Sequence, residues 1–170
     1  MKKDVVIGLG EIGLPIYKLI SKNFPVDGID KLENLNKEKS SLKSHSVELI
    51  HICTPYSKNL YSIIKKFTKK YQPKAVVIHS TISPNTTEII QKKIDIPIIY
   101  SATRGVHKRM LTDLKRYTKF YSVYDWAPHA NLASKIFQKR MKTCNVKTKK
   151  ISNPLTLELS KIVVDTSYYG

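Results

Sequence analysis

Gly8-Leu9-Gly10-Glu11-Ile12-Gly13 is the stretch on which the reading of this chain turns. It follows a β-branched run, Asp4-Val5-Val6-Ile7. It precedes apolar residues at Ile12, Ile16, Leu19 and Ile20, whose spacing predicts a helix over residues 12–23. Between a strand and a helix, G-x-G-x-x-G is the loop that cradles the pyrophosphate of a dinucleotide. Gly8 permits the tight turn, Gly10 leaves the backbone open to the phosphates, and Gly13 lets the helix pack closely on the strand. Glu11 and Ile12 lie at the helix start, where free N–H groups and the helix dipole favour an anion. Pro15 falls in the first turn, where a missing N–H costs little.

Working outward, apolar runs at 24–30, 47–53, 75–79, 96–101 and 119–124 read as strands. Helical patterns cover 58–71, 83–93 and 128–141, the second opened by Ser83-Pro84 as N-cap and first residue. Residues 31–46 are polar loop and short helix, and 104–117 are basic loop and short helix. Residues 145–151 form a short edge strand, and Asn153-Pro154 opens a final helix reaching Gly170. Strands alternating with helices predict an α/β chain, a Rossmann-type doubly wound and mainly parallel sheet with helices on both faces. The expected division is a dinucleotide-binding domain over 1–152 and the start of a connecting or dimerisation helix over 153–170.

The second cofactor element is an acid about 20 residues after the loop. Asp30 stands 22 residues after Gly8, at the end of the second predicted strand. A carboxylate there accepts from ribose hydroxyls and repels a 2′-phosphate, which favours NAD over NADP, although Lys31 beside it softens the preference. Asp27 competes for the role but falls earlier in the strand and is followed by Gly28.

Composition narrows the class. The chain has 170 residues, 41% hydrophobic and 25% charged, enough for one domain with a sizeable core. No apolar run approaches the roughly 18 residues of a membrane span. Met1-Lys2-Lys3-Asp4 and the following run do not make a signal peptide, because Gly8, Gly10, Glu11 and Gly13 interrupt the apolar stretch. A cytoplasmic protein is expected. Cys53 and Cys144 make no disulfide framework and have no metal-ligand spacing, so no metal is expected, and Cys53 reads as a small core residue. His51 and His79 lie within strands and read as hydrogen-bonded core or strand-end histidines.

The formal charge is +17, from 30 basic and 13 acidic residues, and only four of the basic ones are Arg. A basic surface attracts nucleic acid, but Arg rather than Lys suits bidentate phosphate and base contacts. The stretch 135–150 carries Lys135, Lys139, Arg140, Lys142, Lys147, Lys149 and Lys150 with no acid and a single aromatic, Phe137. Nucleic-acid binding stays open beside a simply Lys-rich surface. The basic segment Arg104-Gly105-Val106-His107-Lys108-Arg109 follows the fifth strand, where ligands of such sheets bind. It reads either as a solvated loop or as a rim for an anionic substrate, with His107 as an acid–base group.

With these landmarks in order, the chain resembles the N-terminal NAD-binding domain of the UDP-glucose/GDP-mannose dehydrogenase family, relatives of the 6-phosphogluconate and β-hydroxyacid dehydrogenases. Ile52-Cys53-Thr54-Pro55 is similar to the family's cofactor-lining strand end. Ser80-Thr81-Ile82-Ser83-Pro84-Asn85-Thr86-Thr87 is similar to its S-T-x-x-P-G-T-T segment, with Asn85 in place of Gly. The resemblance implies that Thr54, Pro55, Ser80 and Thr81 line the cofactor. Glu158-Leu159-Ser160-Lys161 resembles the family's E-x-x-K, whose Lys and an Asn one turn later face the substrate. Here Lys161 matches and Asp165 takes the Asn place, an i,i+4 pair suited to an electrostatic role near an oxyanion. Ser101-Ala102-Thr103-Arg104 matches a P-E-R-like segment, with Arg104 kept and Thr103 where the family has its Glu. Neither Cys53 nor Cys144 matches the family's catalytic Cys, which lies in a C-terminal substrate domain.

The resemblance implies hydride transfer from a sugar or hydroxy-acid alcohol to NAD, with Lys161, Asp165, Arg104 and Thr103 toward an anionic small-molecule substrate and homodimerisation through the last helix. The missing Glu and Cys keep open a non-catalytic NAD-binding or regulatory module. The basic stretch keeps open a nucleic-acid-binding protein on the same scaffold.

Overall fold

A computed structural model describes residues 1–103 and 107–169, with the side chains of 107 and 162–169 left out. Its main sheet has five parallel strands in the order β2-β1-β3-β4-β5. They are β1 (Lys2–Ile7), β2 (Val26–Ile29), β3 (Ser46–Ile52), β4 (Ala75–Ile78) and β5 (Ile98–Tyr100). The remaining strands, β6 (Lys119–Tyr121) and β7 (Thr148–Lys150), pair in parallel with each other. An antiparallel bridge between Tyr100 and Ser122 links them to β5. Residues 145–151 thus form an edge, but of this small second sheet.

The helices are α1 (Gly13–Ser21), α2 (Leu60–Tyr71), α3 (Thr86–Gln91), α4 (Met110–Arg116), α5 (Ala130–Thr143) and α6 (Pro154–Tyr169). Between β2 and β3, residues 31–45 carry two short 3-10 turns and an antiparallel bridge from Lys37 to Gly28. β4 (Ala-Val-Val-Ile) and β5 (Ile-Ile-Tyr) are buried and lack charged residues because both faces are covered, as parallel sheets require, while β1 and β3 also carry polar residues. One face packs Val6, Leu49, Val77 and Ile99 under Ile16 and Ile20 of α1 and Phe137 and Met141 of α5. The other packs Val5, Ile50, Val76 and Ile98 under Leu60 and Ile64 of α2 and Ile90 of α3. Each such aliphatic side chain taken from water contributes about 1.5–3 kcal/mol.

The segment 83–93 behaves differently from its sequence pattern. Ser83-Pro84 does not cap the helix. Asn85 holds the cap position at φ 70° with no side-chain cap bond, and the helix begins at Thr86 and ends at Gln91. Asn tolerates this left-handed conformation, which explains how it stands where a Gly would serve. The Thr86 N–H donates to the Ser83 carbonyl at 3.2 Å, so residues 83–86 form a turn instead of a first helical turn.

Register places all five carboxyl ends on one edge. Ile7 lies beside Ile29 and Ile52, Ile52 beside Ile78, and Ile78 beside Tyr100. From β1 the chain turns first to one side, for β2, and then to the other, for β3. That reversal opens the crevice in which such sheets bind ligands.

Candidate cofactor site

The loop after β1 sits at the reversal. Gly8 turns at φ 90°, and a Cβ there would lie 3.1 Å from the Thr54 backbone nitrogen. A Cβ on Gly13 would fall 1.6 Å from the Gly8 carbonyl oxygen, so α1 starts against the loop only because residue 13 is Gly. A Cβ on Gly10 would meet nothing within 4 Å. Gly10 lines a cleft of about 330 Å³ together with Leu9, Glu11, Lys18, Lys108 and Met110. No side chain caps the start of α1, where Ile12 holds the cap position. The Leu14 N–H already donates to the Gly10 carbonyl at 3.1 Å and Pro15 has no N–H, so of the first helical turn Gly13 supplies the N–H open to an incoming anion.

The two candidate acids separate cleanly. Asp27 is buried in an ion pair with Lys3 at 2.6 Å and also accepts from the Lys39 N–H at 3.2 Å. Asp30 is half-buried at the end of β2, beside the exposed Lys31. Its Oδ1 accepts from the Leu32 N–H at 3.0 Å and its Oδ2 from the Leu9 N–H at 2.7 Å. Those two bonds, the Leu32 one first, hold its carboxyl below the usual range. Asp30 therefore braces the glycine loop and keeps free lone pairs for hydroxyl donors.

Beyond β3 and β4 the edge continues through Thr54, Pro55, Ser80 and Thr81. The Ser80 hydroxyl donates to the Thr54 carbonyl, which ties the two strand ends together. Oγ1 of Thr54 is buried with no partner among the described residues. Pro55 and Thr81 are exposed. After β5, Thr103 is buried, and its N–H donates to the His79 carbonyl at 2.9 Å. Arg104 lies outside the described residues, as do Gly105, Val106 and the side chains of His107 and Asp165.

Glu158 is wholly buried and reaches from α6 to the start of α3. Its carboxylate accepts from the Asn85 N–H, the Thr87 N–H and the Thr87 hydroxyl, each at 3.3 Å. Burial pushes its carboxyl pKa up, against those three bonds. The contact fastens α6 over the loop that carries Ser80 and Thr81, and the half-buried Lys161 follows one turn later.

Two buried polar groupings could not be assembled from the sequence. The first is a buried polar chain across one face of the sheet. Arg140 of α5 donates to both Asp4 oxygens, at 2.8 and 2.9 Å, and to Glu48 at 2.6 Å. Asp4 pairs with Nε2 of His51 at 2.9 Å, and Nδ1 of His51 lies 2.9 Å from Nε2 of His79. This bears out both histidines as hydrogen-bonded core residues. Burial drives the His79 pKa well down, helped by Lys119 and by His51. The second is Lys119, buried at the head of β6, whose amine donates to the Ser101 carbonyl at 2.9 Å and to the Thr103 hydroxyl at 3.4 Å. A polar residue within a run that reads as a covered parallel strand was the available signal for Asp4 and His51, while Lys119, first residue of the short β6, offered none.

The basic stretch changes character in three dimensions. Arg140 is turned inward, its guanidinium 3.4 Å from the centre of the Phe24 ring. Phe137 is fully buried. The lone aromatic that base stacking would need is therefore in the core. Both cysteines are buried free thiols, as read for Cys53, and burial raises the Cys144 pKa to about 11. Among the described residues no helix is long and apolar enough to cross a membrane.

No family model matches the sequence, and no curated protein matches it. Solved structures do match. The UDP-D-ManNAc dehydrogenase of Pyrococcus horikoshii superposes with a TM-score of 0.79 at 18% identity, over 99% of this chain and 50% of that one. A UDP-glucose dehydrogenase from Pyrobaculum islandicum gives 0.75 at 14% identity, over 96% and 49%. The 3-hydroxyisobutyrate dehydrogenase of Mycobacterium tuberculosis gives 0.67 at 13% identity, over 99% and 60%. The chain thus spans about half the length of the first two. At these identities the likeness establishes the fold: this chain has the Rossmann-type α/β architecture that those dehydrogenases carry over part of their length.

Proposed function

We propose that this chain is the NAD-binding part of an oxidoreductase that removes hydride from the alcohol of a small anionic substrate, a nucleotide sugar or a hydroxy acid. The observation that carries the reading is the strand edge at the sheet reversal. There an open Gly10, an uncapped α1 N-terminus and the Asp30 carboxylate lie together in the order a dinucleotide needs. Gly8 to Gly13 would hold the pyrophosphate, Asp30 the adenosine ribose, and Thr54, Ser80 and Thr81 the nicotinamide end. Bound NAD supplies the hydride acceptor. Lys161, one turn after the buried Glu158, would be the cation that steadies the alcohol oxygen, with Asp165 as its helical partner and Arg104 toward the anionic end of the substrate. The domain boundary at 152/153 and a homodimer built on α6 belong to the same reading, as does a reducing cytoplasm in which the two buried thiols persist.

The test is binding. NAD at millimolar concentration should raise the thermal midpoint, because a ligand that binds only the folded state stabilises it by mass action. Asp30→Ala should weaken NAD about 10–100-fold by calorimetry, the loss of hydrogen bonds to a charged acceptor, with the far-UV spectrum unchanged. Absence of any NAD-induced shift in the parent protein sinks the reading. NAD binding without NADH formation from UDP-glucose or 3-hydroxyisobutyrate would favour a regulatory module.

A further inference from the structure

Removing hydride from an alcohol also releases its proton, and a buried site needs a group to take it. The inference here rests on the oxidoreductase reading above and concerns the group that does so. Lys119 stands at the head of β6, 7% exposed, and its amine donates to the Ser101 carbonyl and the Thr103 hydroxyl. Both partners lie at the carboxyl end of β5, on the edge that carries Ser80 and Thr81. No carboxylate among the described residues forms an ion pair with this amine. The titratable groups whose electrostatics couple to it are Cys53 at the end of β3, His79 at the end of β4 and Lys161 on α6. Asp113 of α4 lines the same small cavity, which also includes Ala102 and Thr118.

We propose that Lys119 is the proton-accepting group of this site and works through the hydroxyl of Thr103. In the step, the alcohol C–H bond breaks and its electron pair leaves as hydride to the dinucleotide. The alcohol O–H bond breaks, and its proton goes to Oγ1 of Thr103. With the amine neutral, the Thr103 hydroxyl turns to donate to Lys119 Nζ, the reverse of the bond the ammonium makes; its proton moves to that lone pair, so a carbonyl and an ammonium remain. Thr103 is the residue at the reacting oxygen, and Lys119 acts through it. A lysine can serve only if its amine is neutral at working pH. Burial pushes the Lys119 pKa down to about 7, with the Lys161 cation adding to the drop and Cys53 opposing it. Lys161, one helix away, then keeps the electrostatic role.

The test uses the full chain with 13C at the lysine ε-carbons, and Lys119→Met assigns the resonance. Lys119 should titrate near 7, while exposed lysines titrate at about 10.4. Lys161→Met should raise the Lys119 midpoint by removing a like charge. NADH formation from UDP-glucose or 3-hydroxyisobutyrate should rise with pH along a limb matching that midpoint. Lys119→Met should lose the limb and run about 100-fold slower at pH 8, the usual scale for a lost acid–base group. Thr103→Val should slow turnover while leaving the lysine titration near 7, a split that damage to the fold would not give. A Lys119 midpoint near 10, or a Lys119→Met profile parallel to the parent's, overturns the relay while NAD binding stands. Lys119 titrating near 7 in a protein that does not bind NAD overturns the cofactor reading and the relay with it.

Discussion

At the scale of single residues, the chain shows why glycine types differ within one motif. Gly10 is open, with nothing within 4 Å of an added Cβ, whereas Gly13 is closed against the Gly8 carbonyl. Gly13→Ala should therefore lower stability by about 3 kcal/mol or more, since the added carbon meets rigid backbone and not a yielding side chain. Urea unfolding checks this, and a variant within 1 kcal/mol of the parent would show that α1 can slide away from the loop. The two aspartates make the same point about chemistry. Asp27 and Asp30 are three residues apart, yet one is buried against the Lys3 amine and the Lys39 N–H, and the other is half-buried and holds the Leu9 and Leu32 N–H groups.

At the scale of elements, two polar fasteners decide where helices lie. Glu158 fixes the start of α6 to the start of α3, a contact between positions 71 residues apart. Arg140 fixes α5 to β1 and β3 through Asp4 and Glu48. A buried charge stripped of its partner is costly, so Arg140→Ala should destabilise the protein by about 3–5 kcal/mol. Arg140→Met with Asp4→Asn should recover part of that, because the orphaned carboxylate goes too. Equal losses in the single and double variants would mean that packing against Phe24, and not charge pairing, carries the contact.

At the scale of the whole molecule, buried bases make stability depend on pH. The folded pKa of Lys119 lies below its unfolded value of 10.5, at about 7. Unfolding therefore takes up a proton between those limits, and stability rises with pH across the window from 7 to 10.5. His79, lowered well below 6.5, acts in the same sense further down, so stability falls again as pH drops below 6.5. Denaturant midpoints measured from pH 5 to 10 should show both limbs. Lys119→Met should erase the upper one and raise stability at pH 7 by about 1–3 kcal/mol, the desolvation cost of a buried polar group. An unchanged upper limb in that variant would mean that the lysine is solvated in the folded protein. Stability gained at the expense of proton transfer would be a trade often found at functional sites.

Sequence alone determined the alternation of strands and helices, the glycine loop, the acid at position 30 and the Asn153 cap, whose Oδ1 accepts from the Thr156 N–H at 3.0 Å. These were legible because each depends on local spacing or on one residue's backbone preference. The start of α3 was not, because Glu158 reaches it from far along the chain and Asn85 takes the left-handed turn that Ser83-Pro84 had suggested would be a cap. Only the tertiary structure decided that Arg140 points inward, that Asp4, His51 and His79 form one chain, and that Lys119 meets Thr103. Desolvation is the physical reason: a charge in a sequence has no environment until distant elements close over it, and that closure sets its partners and its pKa.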